Sequence, residues 1–300
     1  MLRQVSRQWL AAVGLALAAC TGDAHDESDW MSRVTDMRYL TELSIPGTHD
    51  AGARFEPYPG LSKAQELTIA QQLAAGVRFF DIRCRHVDNQ FLIYHGAIDQ
   101  NQTFDEVLAT MFGFLDAHPK EALIVSIKEE SVASGATRTF EETFATYVAQ
   151  ARDRWFLEAG VPLLGDARGK LVLLRRFPAT SLPLGIDASP WADNATFSIA
   201  NAASLRVQDA YKVSDDASKW TAIASLLAEP GAGNSPTLFL DFTSGYQTIM
   251  GLPNITSVSD DINPRLDTLL ADPATANLGV LVMDFVTAPR AAAIVSTNLR

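Results

Sequence analysis

The sequence predicts a single irregular (β/α)8 barrel of the TIM type, an α/β fold, and three observations lead there. From Trp30 onward, short runs rich in Val, Ile, Leu and Phe alternate with stretches that repeat their apolar residues at helical spacing. Eight such runs occur, at residues 43–45, 77–83, 91–94, 122–128, 171–176, 205–208, 237–242 and 279–285, as many as a closed barrel needs. Several are almost continuously apolar, as parallel strands covered on both faces require. An open doubly wound sheet would show the same alternation, but its glycine-rich phosphate turn is missing.

The helical segments between these runs carry ordinary start and stop signals. Residues 65–75 end at Gly76, and 103–117 open with Thr103 and Glu106 at capping-box spacing. Residues 139–157 form a long amphipathic stretch, 215–228 begin with acids and end before Pro230 and Gly231, and 264–270 and 289–299 each start at a proline. The alternation is weakest between Phe177 and Val207, so the barrel is expected to be irregular there.

Charge narrows the function. With 24 basic and 35 acidic residues the net charge is −11, which excludes nucleic acid as a partner and simple electrostatic docking on anionic lipid. Any membrane contact has to be apolar. Arg3 and Arg7 precede an apolar run at 9–19 that is too short to span a bilayer and ends in small residues, the form of an export signal. LAAC at 17–20 reads as a lipobox, in which Cys20 is lipidated and becomes the first mature residue; a plain secretory peptide cut nearby is the alternative. The chain therefore divides into a signal peptide at 1–19, a polar tether at 20–29 and a barrel at 30–300, exported from the cell either way. Cys84 is then the other cysteine, with no partner for a disulfide, and reads as a small buried filler.

In a barrel of this kind the carboxyl ends of the strands share one rim. The polar residues that close the runs are His49 and Asp50, Asp81 and Arg83, His95, Lys128, Arg176, Asp209, Asp241 and Asp284. One charged residue at a strand end is ordinarily a solvated loop start, but so many on one rim point to a site. Two histidines with carboxylates and a guanidinium are what acid/base chemistry on a phosphate ester requires. Alone, Lys128 and Arg176 read as rim ion pairs with Glu129 or Asp209, and Tyr211 as packing. Arg175 points to the opposite face by strand alternation. His25 in the tether, His86 near a turn, His118 at a helix end and the loop pair Asp166 and Arg168 take structural readings. Asp241 is a rim residue without an assigned role.

The segments SIPGTHDAG, GVRFFDIRCR, LIYHG, IVSIKEE, LGDARGKLVLLRRF, VQDAYKVSDD and VLVMDF follow one another in this order, and together they resemble bacterial phosphatidylinositol-specific phospholipase C from about Trp30 to the C-terminus. The resemblance implies cleavage of phosphatidylinositol to diacylglycerol and inositol 1,2-cyclic phosphate. It implies that His49 is the base that takes the inositol 2-hydroxyl proton, oriented by Asp284. His95 would be the acid that protonates the departing diacylglycerol oxygen, with Asp50 favouring its charged form. Arg83 would contact the phosphate oxygens in the place where related enzymes hold calcium, so no metal cofactor is expected, and Asp81 would orient Arg83 or support the acid. Lys128, Arg176 and Asp209 would bind inositol hydroxyls, and Tyr211 would stack on the ring.

The implied partner is phosphatidylinositol in a membrane, met by a monomer through transient apolar contact. Candidate contact segments are 177–191 and 246–253. Two other functions compete. A metal-dependent barrel phosphodiesterase for glycerol-linked or sphingoid phosphoesters is disfavoured by Arg83. A surface lipoprotein that binds inositol phosphate or lipid without turnover is disfavoured by the paired acid and base, which binding alone does not need.

Overall fold

The computed structural model describes residues 27–229 and 236–299, so the expected leader, Cys20, His25, Pro230 and Gly231 lie outside the described residues. The chain starts with β1 (Ile45–Thr48), α1 (Ile69–Ala74), β2 (Phe79–Val87), β3 (Gln90–His95), β4 (Ile98–Thr103) and α2 (Phe104–Ala117). It continues through β5 (Leu123–Ser134), α3 (Phe140–Gln150), β6 (Trp155–Phe156), α4 (Leu164–Ala167), β7 (Leu171–Arg176), β8 (Ile186–Asp187) and β9 (Ala195–Ala200). It closes with β10 (Ser204–Asp209), α5 (Asp216–Leu227), β11 (Thr237–Phe242), β12 (Gln247–Ile249), β13 (Leu252–Asn254), α6 (Thr256–Ala271), β14 (Val280–Met283) and α7 (Ala288–Ser296).

The main sheet runs β6-β7-β5-β2-β1-β14-β11-β10-β9, parallel throughout except that β9 is antiparallel to β10. It curls without closing. Among the described residues no ladder joins β9 to β7 or β8, and a bond from Asn201 Nδ2 to the Asp187 carbonyl (3.0 Å) crosses the seam. The seam lies where the alternation of strands and helices is weakest in the sequence, since β7 reaches β10 through two short strands and no helix.

Three expected elements take different forms. The run at 91–94 is β3, an antiparallel partner of β2 and not a stave of the barrel. Asp88 and Asn89, with φ of 48° and 61°, make the tight left-handed turn that joins the two strands, and a parallel neighbour is not reachable through two residues. The missing stave is β6, inside the stretch expected to be helical to residue 157; α3 stops at Gln150 and buried Trp155 pairs with Leu171. Pro264 lies within α6, which begins eight residues before it. Buried Val258, Ile262, Leu266 and Leu270, spaced by four, bind that helix to the body, and this packing outweighs the missing amide. Thr103 and Glu106 form the expected capping box on α2.

Period-two alternation then sorts the strands into two cores. Ile45, Phe79, Ile124, Val172, Leu174, Leu205, Val207, Leu238, Leu240, Val280 and Val282 fill the lumen, while Phe80, Ile82, Val125, Ile127, Leu173, Leu281 and Met283 meet the helices. Gly47 lets this layer close, because a Cβ there would lie 3.0 Å from the Phe79 ring and 3.2 Å from the Leu281 carbonyl. At the amino ends of the strands Arg78 and Glu121, both without solvent exposure, pair at 2.6 Å, and the Arg78 guanidinium lies over the Phe114 ring of α2. Arg78 also donates to the carbonyls of Leu73, Val77, Glu27 and Ser28, so residues 27–30 are bound to the base. Arg168 adds bonds to Asp36 and to the carbonyls of Met31, Val34 and Lys120.

A buried ion pair broken from one side leaves an uncompensated charge. Arg78→Met is therefore expected to lower the free energy of unfolding by about 3–5 kcal/mol. Urea denaturation checks this, and a shift of the midpoint under 1 kcal/mol equivalent, roughly the scale of a surface substitution, contradicts it.

Candidate active site

The lumen-facing series becomes polar toward the carboxyl ends of the strands. On β2 it reads Phe79, Asp81, Arg83; on β5, Ile124, Ser126, Lys128, Glu130; on β7, Val172, Leu174, Arg176; on β10, Leu205, Val207, Asp209. His49 follows β1 and Asp284 follows β14 on the same face. These side chains form a cavity of about 460 Å³ lined by His49, Arg83, His95, Lys128, Arg176, Asp209 and Tyr211, with Asp50, Asp81 and Asp284 buried behind them. All ten expected site residues thus meet at one end of the barrel.

His49 and Asp284 are joined by a 2.7 Å bond from Nδ1 to Oδ1. The carboxylate accepts, so Nδ1 carries the proton and Nε2 keeps its lone pair. Asp284 Oδ2 accepts from the Gly245 amide (3.3 Å), and glycine is needed there because a Cβ would lie 2.9 Å from the Tyr211 carbonyl. Gln65 pins the loop from behind, donating to the carbonyls of His49 (2.9 Å) and Met283 (2.8 Å).

His95 arrives on the β3 hairpin, 6.3 Å from His49 between ring centroids and perpendicular to it. Its Nδ1 donates to the Ser62 carbonyl at 2.7 Å, and Asp50 Oδ2 stands 3.7 Å away. Burial and then Arg83 push His95 below the ordinary imidazole range, against the pull of the Ser62 carbonyl. Asp50 is fully buried, its φ is 41°, and among the described residues neither carboxyl oxygen has a hydrogen-bond partner. Burial pushes its pKa up to about 8, and Arg83, with Nε 3.8 Å from Oδ2, offsets only part of that.

Arg83 donates from Nε to Asp81 Oδ2 (2.9 Å) and from Nη1 to Glu130 Oε1 (3.4 Å). Asp81 also accepts from Arg176 Nη1 and from Ser126 Oγ, each at 3.3 Å. Burial alone would raise Asp81; Arg83 and Arg176 outweigh it and hold the carboxyl below its usual range. Lys128 pairs with Glu130 at 2.7 Å, and Glu130 also accepts from the Gly96 amide (2.9 Å) beside His95. The partners of Lys128 and Arg176 are thus Glu130 and Asp81, not Glu129 or Asp209, which correct the ion pairs expected from the residues alone. Glu130 is a site residue that the sequence reading missed, although alternation from Lys128 points to it.

Trp191 was missed too. Its ring lies 3.8 Å from the Arg176 guanidinium carbon, and its Nε1 donates to Asp209 Oδ2 at 2.9 Å. In the segment 177–191, Phe177, Leu184 and Ile186 are buried, while residues 180–183, Leu182 among them, are exposed. Tyr211 is at the cavity wall, with its hydroxyl 2.5 Å from Asp193 Oδ1. Arg175 faces outward to Asp187 (2.9 Å), as alternation requires.

Asp241 does not belong to the rim. It is one residue out of phase with lumen-facing Phe242, so it lies outside the barrel wall, where Oδ1 accepts from Gln208 Nε2 (2.8 Å) and burial raises its pKa to about 7. Buried Lys219 lies beside it and donates to the carbonyls of Phe242 (2.6 Å) and Ala210 (3.1 Å), which braces the strand ends from below. Cys84 and His86 are buried structural residues; His86 Nε2 meets Thr143 Oγ1 at 2.9 Å. Among the described residues, no group of three or more His, Cys, Asp or Glu side chains is arranged to hold a metal ion.

Residues 59–177 match the family model described as phosphatidylinositol-specific phospholipase C, X domain. A 1-phosphatidylinositol phosphodiesterase of Staphylococcus aureus is 32% identical over 274 residues, which cover 86% of this chain and 88% of that protein. One from Listeria monocytogenes is 28% identical, over 85% of this chain and 80% of the relative. A solved structure of a variant S. aureus phosphatidylinositol-specific phospholipase C superposes with a TM-score of 0.83 at 30% identity, over 91% of this chain and 97% of that one. The L. monocytogenes enzyme gives a TM-score of 0.72 at 26% identity, over 91% and 98%. With this likeness running the length of the barrel, the chain belongs to the bacterial phosphatidylinositol-specific phospholipase C family.

Proposed function

We propose that this site cleaves phosphatidylinositol to diacylglycerol and inositol 1,2-cyclic phosphate without a metal ion. The observation that carries the reading is the pair of facing histidines in one cavity with Arg83, one held as a base by Asp284 and the other held by the Ser62 carbonyl 3.7 Å from buried Asp50. His49 Nε2 takes the inositol 2-hydroxyl proton, and that oxygen attacks phosphorus. The bond from phosphorus to the glycerol oxygen breaks, and the oxygen takes a proton from His95 Nε2. Reversed roles let water open the cyclic product more slowly.

Asp50 is raised and His95 lowered in the free enzyme, and no hydrogen bond joins them across 3.7 Å, so the donor to the leaving oxygen is His95 Nε2, which the arriving phosphodiester anion helps to charge. Arg83 supplies the positive fork for the phosphate oxygens. Its guanidinium lies within 4 Å of Asp50, Asp81 and Glu130, the carboxylates that a cation would otherwise use. Lys128, Arg176 and Asp209 take the ring hydroxyls, and Tyr211 covers the ring.

Membrane contact is assigned to the apolar rim. Phe55 and Tyr58 are exposed on the loop after β1, and Ile249, Met250 and Leu252 on the β12–β13 hairpin. The Gly60 carbonyl accepts from the Ile255 amide at 3.0 Å, which joins the two loops beside the cavity. The second of the two segments expected to touch lipid is therefore retained, and residues 55–58 are added. Among the described residues no helix is long and apolar enough to cross a membrane. Residues 1–19 are read as the export signal and Cys20 as the lipidated first residue of the mature chain.

Purified protein offered phosphatidylinositol in excess chelator is expected to release the cyclic inositol phosphate. His49→Ala and His95→Ala should each lower kcat by about 10²–10⁴-fold, the usual scale for loss of one proton-transfer group. Abolition by chelator with rescue by calcium would falsify metal independence, and product formation unchanged in both variants would remove the site. The pH profile tests the role of Asp50. Burial raises its pKa to about 8, so Asp50 keeps its proton from acid pH upward and loses it near pH 8, where the added charge beside the phosphodiester makes kcat fall on the alkaline side. Asp50→Asn should lose activity and recover part of it with a substrate whose leaving group needs no proton, whereas Asp284→Asn should not recover. A rate still rising at pH 9 contradicts the assignment.

A further inference from the structure

The base of the barrel and its mouth carry different attachments. Glu27 and Ser28 give their carbonyls to Arg78, which immediately precedes β2, and Trp30 Nε1 donates to the Gly76 carbonyl at 3.0 Å. A Cβ on Gly76 would lie 3.2 Å from the Glu27 side chain, so the chain enters the body at the amino ends of the strands. The cavity and its apolar rim lie at the carboxyl ends. The two poles are separated by the full height of the barrel.

Tether length decides what this means. Only seven Cα steps separate Cys20 from Glu27, which reach at most about 25 Å when fully extended. A domain of this size has a radius of gyration of roughly 19 Å, hence a diameter near roughly 50 Å and a path of roughly 75 Å around its surface from pole to pole. The reach is about a third of what inversion over the anchoring membrane would take. Resting on the Cys20-anchored phospholipase reading above, we propose that the enzyme cannot reach the membrane that holds it and cleaves phosphatidylinositol in a facing membrane. The apolar rim at Tyr58 and Met250 is then a contact surface for a second bilayer, presented away from the first.

Lipidated full-length chain reconstituted into vesicles tests this. In one arm phosphatidylinositol is in the same vesicles, held apart on a surface so that no two bilayers meet; in the other it is in separate acceptor vesicles. Release of water-soluble inositol phosphate is expected in the second arm, with a rate proportional to acceptor concentration, and at least about 10-fold slower release in the first. Insertion of about 40 Gly and Ser residues between Gly22 and Asp23, with a contour of roughly 140 Å, should restore release from the same vesicles. Equal rates in both arms with the natural tether overturn the proposal, as does a Cys20 that carries no lipid. The Cys20→Ser chain, soluble and untethered, should cleave both vesicle preparations alike. If it cleaves neither, the phospholipase reading itself fails; if it cleaves both while the anchored chain cleaves neither, the facing-membrane proposal alone fails.

Discussion

The mouth of the barrel depends on a negative charge kept at Asp81, where no solvent reaches it. A lone carboxylate so placed costs several kcal/mol, and the fold answers with two guanidinium groups, a hydroxyl and the Asp50 amide. Each donor is thereby given a position. Arg83 is turned so that its far nitrogens face the cavity, and Arg176 is held flat under Trp191. Arg83 and Arg176 are thus both placed by one buried anion. At the amino ends of the strands, Arg78 and Glu121 solve the same electrostatic problem by mutual pairing, and there the charge is consumed in binding residues 27–28 to the barrel.

Much of this was readable from residue order, because alternation carries a charge onto the same face as the lumen-facing residues two and four positions before it. His49, Asp81, Arg83, Lys128, Arg176, Asp209 and Asp284 all follow that rule. Asp241 was misplaced because strand ends were compared instead of phase: it neighbours lumen-facing Phe242, and a shift of one residue turns a side chain to the other face. Glu130 obeys the phase rule from Lys128 and was legible in principle. Trp191 was not, since its place over Arg176 is set by a loop whose path no periodicity encodes. His95 was found for an incomplete reason. It does end a strand, but on a hairpin outside the barrel, and the left-handed turn at Asp88 and Asn89 was the signal for that.

The open seam has a chemical use. A regular barrel would place a helix between β7 and β10, packed on the outer wall. Here the chain forms β8 and the antiparallel β9 instead, and the residues between them fold across the mouth. That loop supplies Trp191 to Arg176 and Asp209, and Asp193 to Tyr211 and Lys212. The irregularity therefore builds one wall of the cavity, and loss of a barrel ladder is exchanged for polar contacts that a helix on the outside could not make.

Charge balance explains why the acid need not be an imidazolium in the free enzyme. Asp81, Glu130 and Asp209 oppose Arg83, Lys128 and Arg176, so with Asp50 protonated these groups around the cavity are close to neutral. On the proposed reading, substrate adds a phosphodiester anion next to Arg83. A unit negative charge about 5 Å from the His95 and Asp50 pair, at an effective dielectric near 20, favours retention of a proton by about 3 kcal/mol, or roughly two pKa units. The anion thus strengthens the hold on the proton that its own leaving group will take. By linkage the protonated pair also binds the anion more tightly, and deprotonation above pH 8 weakens binding as well as catalysis. Burial of Asp50 without hydrogen-bond partners is what makes it responsive, because a carboxylate already satisfied by amides would stay ionised.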